Sequence, residues 1–263
     1  MKRWLALLLV VIMVFSTAAC SGKSGTGTGD PGKDVEDPGK DVDPGNEPGK
    51  TGAAIDGEFY VYEDMFDVFK FFKEIKFSYT NEPAEGDTSA YSFAYVYTGE
   101  EEVSYTLEDV DHVDNTKRYR ITILEDGEET ILDVWFNEAG DLVKAGTEGD
   151  YWSGDFASLA LLTFAFHLMP FYMYNDGFGE VFTKEGGLES SGWHIHEHNS
   201  TTKNFGSGNV KVESYRFSWI WLAADLIYDW EVAEVGGKYL FTRWKTKIGE
   251  GISEMIVEKL IPF

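Results

Sequence analysis

One alternation constrains the fold more than any other feature. The chain reads Tyr91-Ser92-Phe93-Ala94-Tyr95-Val96-Tyr97, with a ring at every second position and a smaller residue between. A period of two puts the four rings on one face of a strand, and that face needs a cover. Val103-Tyr105-Leu107 repeats the pattern after a charged turn at Gly99–Glu102, and Tyr119-Ile121-Ile123 and Leu132-Val134-Phe136 flank a hairpin turn at Glu125-Asp126-Gly127-Glu128. Ala139-Gly140-Asp141 then turns into Leu142–Thr147. Connections this short make antiparallel pairs, because parallel strands need a crossover of about a dozen residues or more. Strands resume near Gly192–Asn199 and Asn209–Trp219, and Trp230–Val235 and Lys238–Trp244 flank the hairpin signal Gly236-Gly237. Trp221–Tyr228 reads as a short helical turn, and Ile252–Pro262 as a last strand, with a short helix as the alternative.

Two segments break that period. In Asp64–Ile75 the apolar residues Met65, Val68, Phe69, Phe72 and Ile75 recur at three- and four-residue steps, which predicts an amphipathic helix. Asp64 and Asp67 fall in its first turn and Lys70 and Lys73 later, the order that the helix dipole favours. Phe156–Tyr174 carries no formal charge if His167 is neutral, so its length alone would allow a membrane span. Pro170 interrupts it, and Glu148, Asp150 and Asp155 before it and Asp176 and Glu180 after it give no positive-inside signal. The favoured expectation is a helix buried against the sheet, with His167 as a core histidine.

The N-terminus carries a different kind of information. Lys2 and Arg3 precede an uncharged apolar stretch, Trp4–Phe15, and Ser16-Thr17-Ala18-Ala19 leads into Cys20, the one cysteine of the chain. This is the three-part build of a secretory signal, and too short for a span of about 20 residues. With Cys20 directly after the small residues, it resembles a lipoprotein signal peptide with its lipobox. Ala18, Ala19 and Cys20 match, and Thr17 stands where leucine is usual. The resemblance implies that residues 1–19 are removed and that the Cys20 sulfur is the lipid attachment point, holding the chain outside the cytoplasm on the cell membrane, or on the outer membrane if the source has one. A lone cysteine suits that reading, since an oxidising compartment favours paired cysteines or none.

Residues 20–56 read as the lipidated cysteine and a disordered linker, with the runs DPGKDVE, DPGKDV and DPGNEPGK. Gly45–Thr51 has only three residues between its glycines where a phosphate-binding loop needs four, and the linker acids lack EF-hand spacing. Residues 57–263 are then a single antiparallel β domain with two helices.

A formal charge of −24 excludes a nucleic-acid partner, because phosphates would be repelled. The membrane, through the N-terminal lipid, and an apolar small molecule or lipid are the expected partners. His194, His196 and His198 alternate, and on a straight strand would share one face. His194 and His196, about 7 Å apart in Cα, could share a metal ion, whereas His198 is too far for the same ion. No cofactor is expected, with a divalent metal at His194 and His196 as the exception. A zinc-protease motif fails because Ser200 stands where its second histidine belongs, no Gly-x-Ser-x-Gly elbow occurs, and a non-enzymatic role is expected. Asn199-Ser200-Thr201 matches a glycosylation acceptor.

The order of elements, a helix, about six strands, an apolar helix and four or five more strands, resembles the lipoprotein-carrier fold of LolA, LolB and LppX-type lipoproteins. That resemblance implies a mainly β (α+β) fold: a strongly curved antiparallel sheet or half-barrel wrapped around the apolar helix, with the amphipathic helix at its N-terminal end. It also implies a sheet-lined cavity for a hydrophobic ligand; no residue is carried over from that family, and the strand and helix patterns themselves give Tyr91, Phe93, Tyr95, Phe164, Phe217 and Trp219 as candidate cavity residues. A metal-binding surface protein and an envelope interaction module without a small ligand remain the alternatives.

Overall fold

The computed structural model describes residues 54–183, 187, 193–219 and 226–263. The chain has two units, Met1–Pro48 and Gly49–Phe263, and the described residues all belong to the second. The leader, Cys20 and most of the linker lie outside them, as does 220–225.

Among the described residues the second unit forms one antiparallel sheet of eleven strands. Six precede the apolar segment: β1 (Phe72–Glu82), β2 (Ser89–Leu107), β3 (Val110–Glu125), β4 (Glu128–Phe136), β5 (Leu142–Thr147) and β6 (Asp150–Ser153). Five follow it: β7 (Trp193–Asn204), β8 (Asn209–Trp219), β9 (Leu226–Val235), β10 (Lys238–Ile248) and β11 (Gly251–Pro262). The spatial order is β6-β5-β4-β3-β2-β1-β11-β10-β9-β8-β7, so the two meanders join where β11 returns to pair with β1. The half-barrel expected from the sequence is corrected: the sheet is neither closed nor strongly curled, and it ends at two edges, β6 and β7. Ile252–Pro262 lies within β11, not in a helix.

The expected hairpin turns form where the backbone needs positive φ. Asp126 and Gly127 turn β3 into β4 at φ 52° and 81°, and Gly236 and Gly237 turn β9 into β10 at 64° and 82°. The turn expected at Gly99–Glu102 is absent. β2 runs straight through it with a bulge between Tyr97 and Gly99, and the chain reverses at Glu108 and Asp109, both at positive φ. The bulge inserts one residue, so side chains beyond it change faces. Val103 and Tyr105 therefore leave the main core and pack with Trp135 and Val143 on the opposite face.

The amphipathic helix expected over Asp64–Ile75 is also corrected. Only a 3-10 turn, Met65–Asp67, and one helical turn, α1 (Val68–Phe71), are helical. Asp64 caps them by accepting from the Phe66 amide at 2.9 Å, while Asp67 accepts from the Glu63 amide at 2.8 Å. Beyond Phe71 the sequence changes to rings and a β-branched residue, and β1 gains ladders on both sides, from β2 and β11. Two sets of hydrogen bonds and a face of Ile75, Phe77 and Tyr79 outweigh a marginal helix.

The apolar segment becomes a 3-10 stretch, Gly154–Ala160, and α2 (Leu161–Gly177), which crosses one face of the sheet. Phe171 stacks 5.8 Å from Phe77 and Tyr174 lies 3.7 Å from Trp244. Among the described residues no helix is long and apolar enough to cross a membrane. The face under α2 is packed with aromatic rings, whereas the other carries ion pairs such as Arg243–Glu254 at 2.7 Å and Lys76–Glu258 at 2.6 Å. That division follows from the period-two pattern, with one face of each strand buried and one solvated.

Candidate functional site

A cleft of about 200 Å³ opens at one end of the ring-packed face, between α1 and strands β3 and β4. Its floor is Phe66, Phe69, Tyr119 and Phe136, brought together because Phe69 packs on the sheet face, 5.0 Å from the Tyr119 ring and stacked 4.8 Å from Phe136. Its rim is polar and of both signs, with Lys70, Lys117, Glu100 and Glu138 beside Asn115 and Asn137.

Lys70, Lys117, Asn115, Glu100 and Asn137 are each held by a local contact. Lys70 pairs with Asp67 at 2.7 Å, and its stem fills the space a side chain at Gly140 would need. Asp67 is itself buried, which pushes its pKa up, but the bonds from Lys70 and from the Glu63 and Asp64 amides outweigh burial and hold it below the ordinary value. Lys117 carries its ammonium 4.4 Å above the ring of Phe263, and the Asn115 amide donates to Glu100 at 3.0 Å. Asn137 accepts from the Asp141 amide at 2.9 Å and so fixes the turn at the rim. An apolar floor under a rim of both signs suits a small ligand with an apolar body and a polar end.

The residues singled out in the sequence lie elsewhere. Phe93, Tyr95, Phe164 and Phe217 are fully buried in the core, Tyr91 is half-buried, and none of them lines this cleft. The side chain of Trp219 lies outside the described residues. The floor residues Phe69 and Phe136 carried a sequence signal, as apolar positions of the helical and strand patterns. The rim carried none, because Lys70, Lys117 and Asn137 come from three separate turns and strands.

The three histidines do not share a face as a straight strand would require. A bulge between Ile195 and Glu197 falls on His196 and resets the alternation. The rings of His194 and His196 still meet edge to face at 4.7 Å, and His196 bonds Ser218 at 3.0 Å. His198 instead stacks on Tyr215 and reaches the buried Glu213 at 2.9 Å. Burial pushes the Glu213 pKa up, but its bonds with Lys211 and His198 win and hold it below the ordinary value. Among the described residues, no group of three or more His, Cys, Asp or Glu is placed to hold a metal ion. His167 lies on α2, where Nε2 approaches Glu125 at 3.3 Å.

The fold and the cleft define a two-layer antiparallel β protein with a small amphipathic cleft. No protein-family model matches the chain, and no curated protein matches it either.

Proposed function

We propose that this chain is a membrane-tethered extracytoplasmic binding module, anchored through Cys20, that takes a small amphipathic ligand in the cleft between α1 and β3–β4. The observation that carries the reading is the cleft itself: an aromatic floor with Lys70 and Lys117 above it, in a chain whose net charge is −24. Lys70 and Lys117 stand at this apolar opening beside Glu100 and Glu138, and they are the groups an anionic head group would pair with there. Its volume is about 200 Å³, below the roughly 300–1,000 Å³ that encloses a drug-sized ligand. It suits a short carboxylic acid, or the end of a lipid, better than a whole acyl chain.

Titration of the full chain with octanoate by calorimetry tests this. Saturable binding that Lys117→Glu weakens at least tenfold is expected. Octanoate that fails to saturate, or binds Lys117→Glu as well as the parent, would remove the cleft from consideration. A second reading, an envelope interaction module with no small ligand, draws support from the solid aromatic packing between α2 and the sheet. It predicts no octanoate binding at all.

A further inference from the structure

The sheet ends at two edges that differ in kind. β6 is only four residues long and stands among Glu148, Asp150 and Asp155, so shortness and like charge both blunt it. β7 is twelve residues long, and among the described residues its outer edge pairs with no strand. Glu197 and every residue from Asn199 to Asn204 are exposed, so that stretch of the edge is open. An open edge presents a row of backbone donors and acceptors that an added strand can complete.

The usual safeguards are missing from the C-terminal part of β7. The bulge at His196 disturbs its start, but from Glu197 to Asn204 the pairing with β8 is regular, and no proline occurs there. The two charges of the strand, Glu197 and Lys203, share the face away from α2, with Glu197 opposite Arg216 and Lys203 bonded to Glu231 at 2.5 Å.

Charge selects the occupant. A net charge of −24 keeps two copies of this chain apart over most of their surfaces. β7, with one acid and one base, is a neutral strip on which they can meet. Two copies joined edge to edge by a two-fold axis run antiparallel with the axis along the sheet normal, so each residue meets one that lies on its own face. The axis must then pass through a residue, and within Glu197–Asn204 the longest ladders place it at Ser200 or at Thr201. Only Ser200 sets Glu197 of each copy opposite Lys203 of the other. Asn199 then meets Thr201 on the same face, and His198 meets Thr202 on the other, all able to hydrogen-bond across the strands. Lys203 can keep Glu231 as it does so, because its side chain is still 42% exposed and an ammonium has three donors. We propose that the outer edge of β7 is a self-association surface, where a second copy of this chain pairs antiparallel about a two-fold axis at Ser200 and one sheet continues through both copies. This surface is separate from the cleft, and its pairing needs neither a ligand there nor Cys20.

Disulfide trapping tests this in the full chain carrying Cys20→Ser, where an introduced cysteine is the sole thiol. Ser200→Cys places two thiols across the axis with their Cα atoms about 4.5–5.5 Å apart, within reach of a disulfide. Thr202→Cys, on the same face and also exposed, places them about 14 Å apart. With oxidised glutathione, Ser200→Cys is expected to form a covalent dimer at least tenfold faster than Thr202→Cys. Adding Glu197→Lys should slow that at least fivefold and leave the circular dichroism spectrum unchanged. Sedimentation velocity without introduced cysteines is the second readout, with a dimer that grows with concentration and that Glu197→Lys removes. Equal trapping at positions 200 and 202, or trapping that ignores Glu197→Lys, would overturn the proposal. So would a chain that stays monomeric up to about 1 mM, where even a weak pair should form.

Discussion

Asn175→Ala tests how α2 is held on the sheet. Asn175 is buried near the C-terminal end of α2, and its side chain works in both directions. Its Nδ2 donates to the Phe171 carbonyl at 2.9 Å, and its Oδ1 accepts from the backbone amide of Phe241 at 2.8 Å. Phe241 stands beside the bulge in β10, where the regular ladder is interrupted. The alanine variant leaves the Phe241 amide buried and unpaired, which costs about 1–3 kcal/mol. The void left by the amide adds to this, for a total of about 2–4 kcal/mol, within the usual range for a disrupted buried network. A domain of this size loses about 2–4 °C in Tm per kcal/mol, so the melting temperature should fall by roughly 5–15 °C. Urea unfolding of the full chain gives the free energy, and hydrogen exchange at the Phe241 amide reports the bond directly. Asn175→Asp keeps an acceptor for that amide and should retain more of its protection than alanine does. If Asn175→Ala lies within about 0.5 kcal/mol of the parent, the ordinary scatter of surface substitutions, then ring packing alone holds the helix and the reasoning is wrong.

Three further outcomes follow from single sites. Asp133 is buried under Arg118 at 2.6 Å and Arg120 at 3.0 Å; burial raises its pKa, but the bonds from the two arginines outweigh that and hold it below the ordinary 3.8. A depressed carboxyl contributes its full stability above the unfolded value and loses it as pH falls through the folded one, so acid unfolding curves of Asp133→Asn should be flatter below about pH 4 than those of the parent. Gly154 adopts φ 60°, and an added Cβ would fall on the Thr106 carbonyl. Gly154→Ala should therefore cost at least the roughly 1–3 kcal/mol of a strained backbone, read by thermal melting. Cys20→Ser should abolish incorporation of labelled fatty acid and move the chain from the membrane to the soluble fraction; a variant that stays on the membrane would refute the anchor.

Several parts of the fold were legible because they depend on neighbours in sequence. The rings at Tyr91, Phe93, Tyr95 and Tyr97 line one face because successive side chains on a strand must point to opposite sides. Asp126-Gly127 and Gly236-Gly237 reverse the chain because few other residues tolerate those backbone angles. The errors share a cause as well. Phe72 and Ile75 satisfied a helical period and a strand period at once, and the choice was made by β11, which lies at the far end of the sequence. The bulges at Tyr97–Gly99 and at His196 each inserted one residue into an alternation, and the composition of those stretches does not announce it.

The candidate sites were less legible for the same reason. Lys70, Lys117 and Asn137 meet only when β3 and β4 pair and α1 folds onto them. Trp244 ends a strand expected from the sequence, and nothing local marks its indole nitrogen as unpartnered. The amino-acid order alone determined the local geometry of this protein: which stretches extend, where they turn, which face is greasy, and that the apolar segment must be covered. Only the folded state decided that β1 and β11 join two meanders into one open sheet, which face α2 covers, and which polar atoms end up with nothing to bond. Those outcomes depend on contacts between residues far apart in the chain, and such contacts are settled by the packing of the whole core.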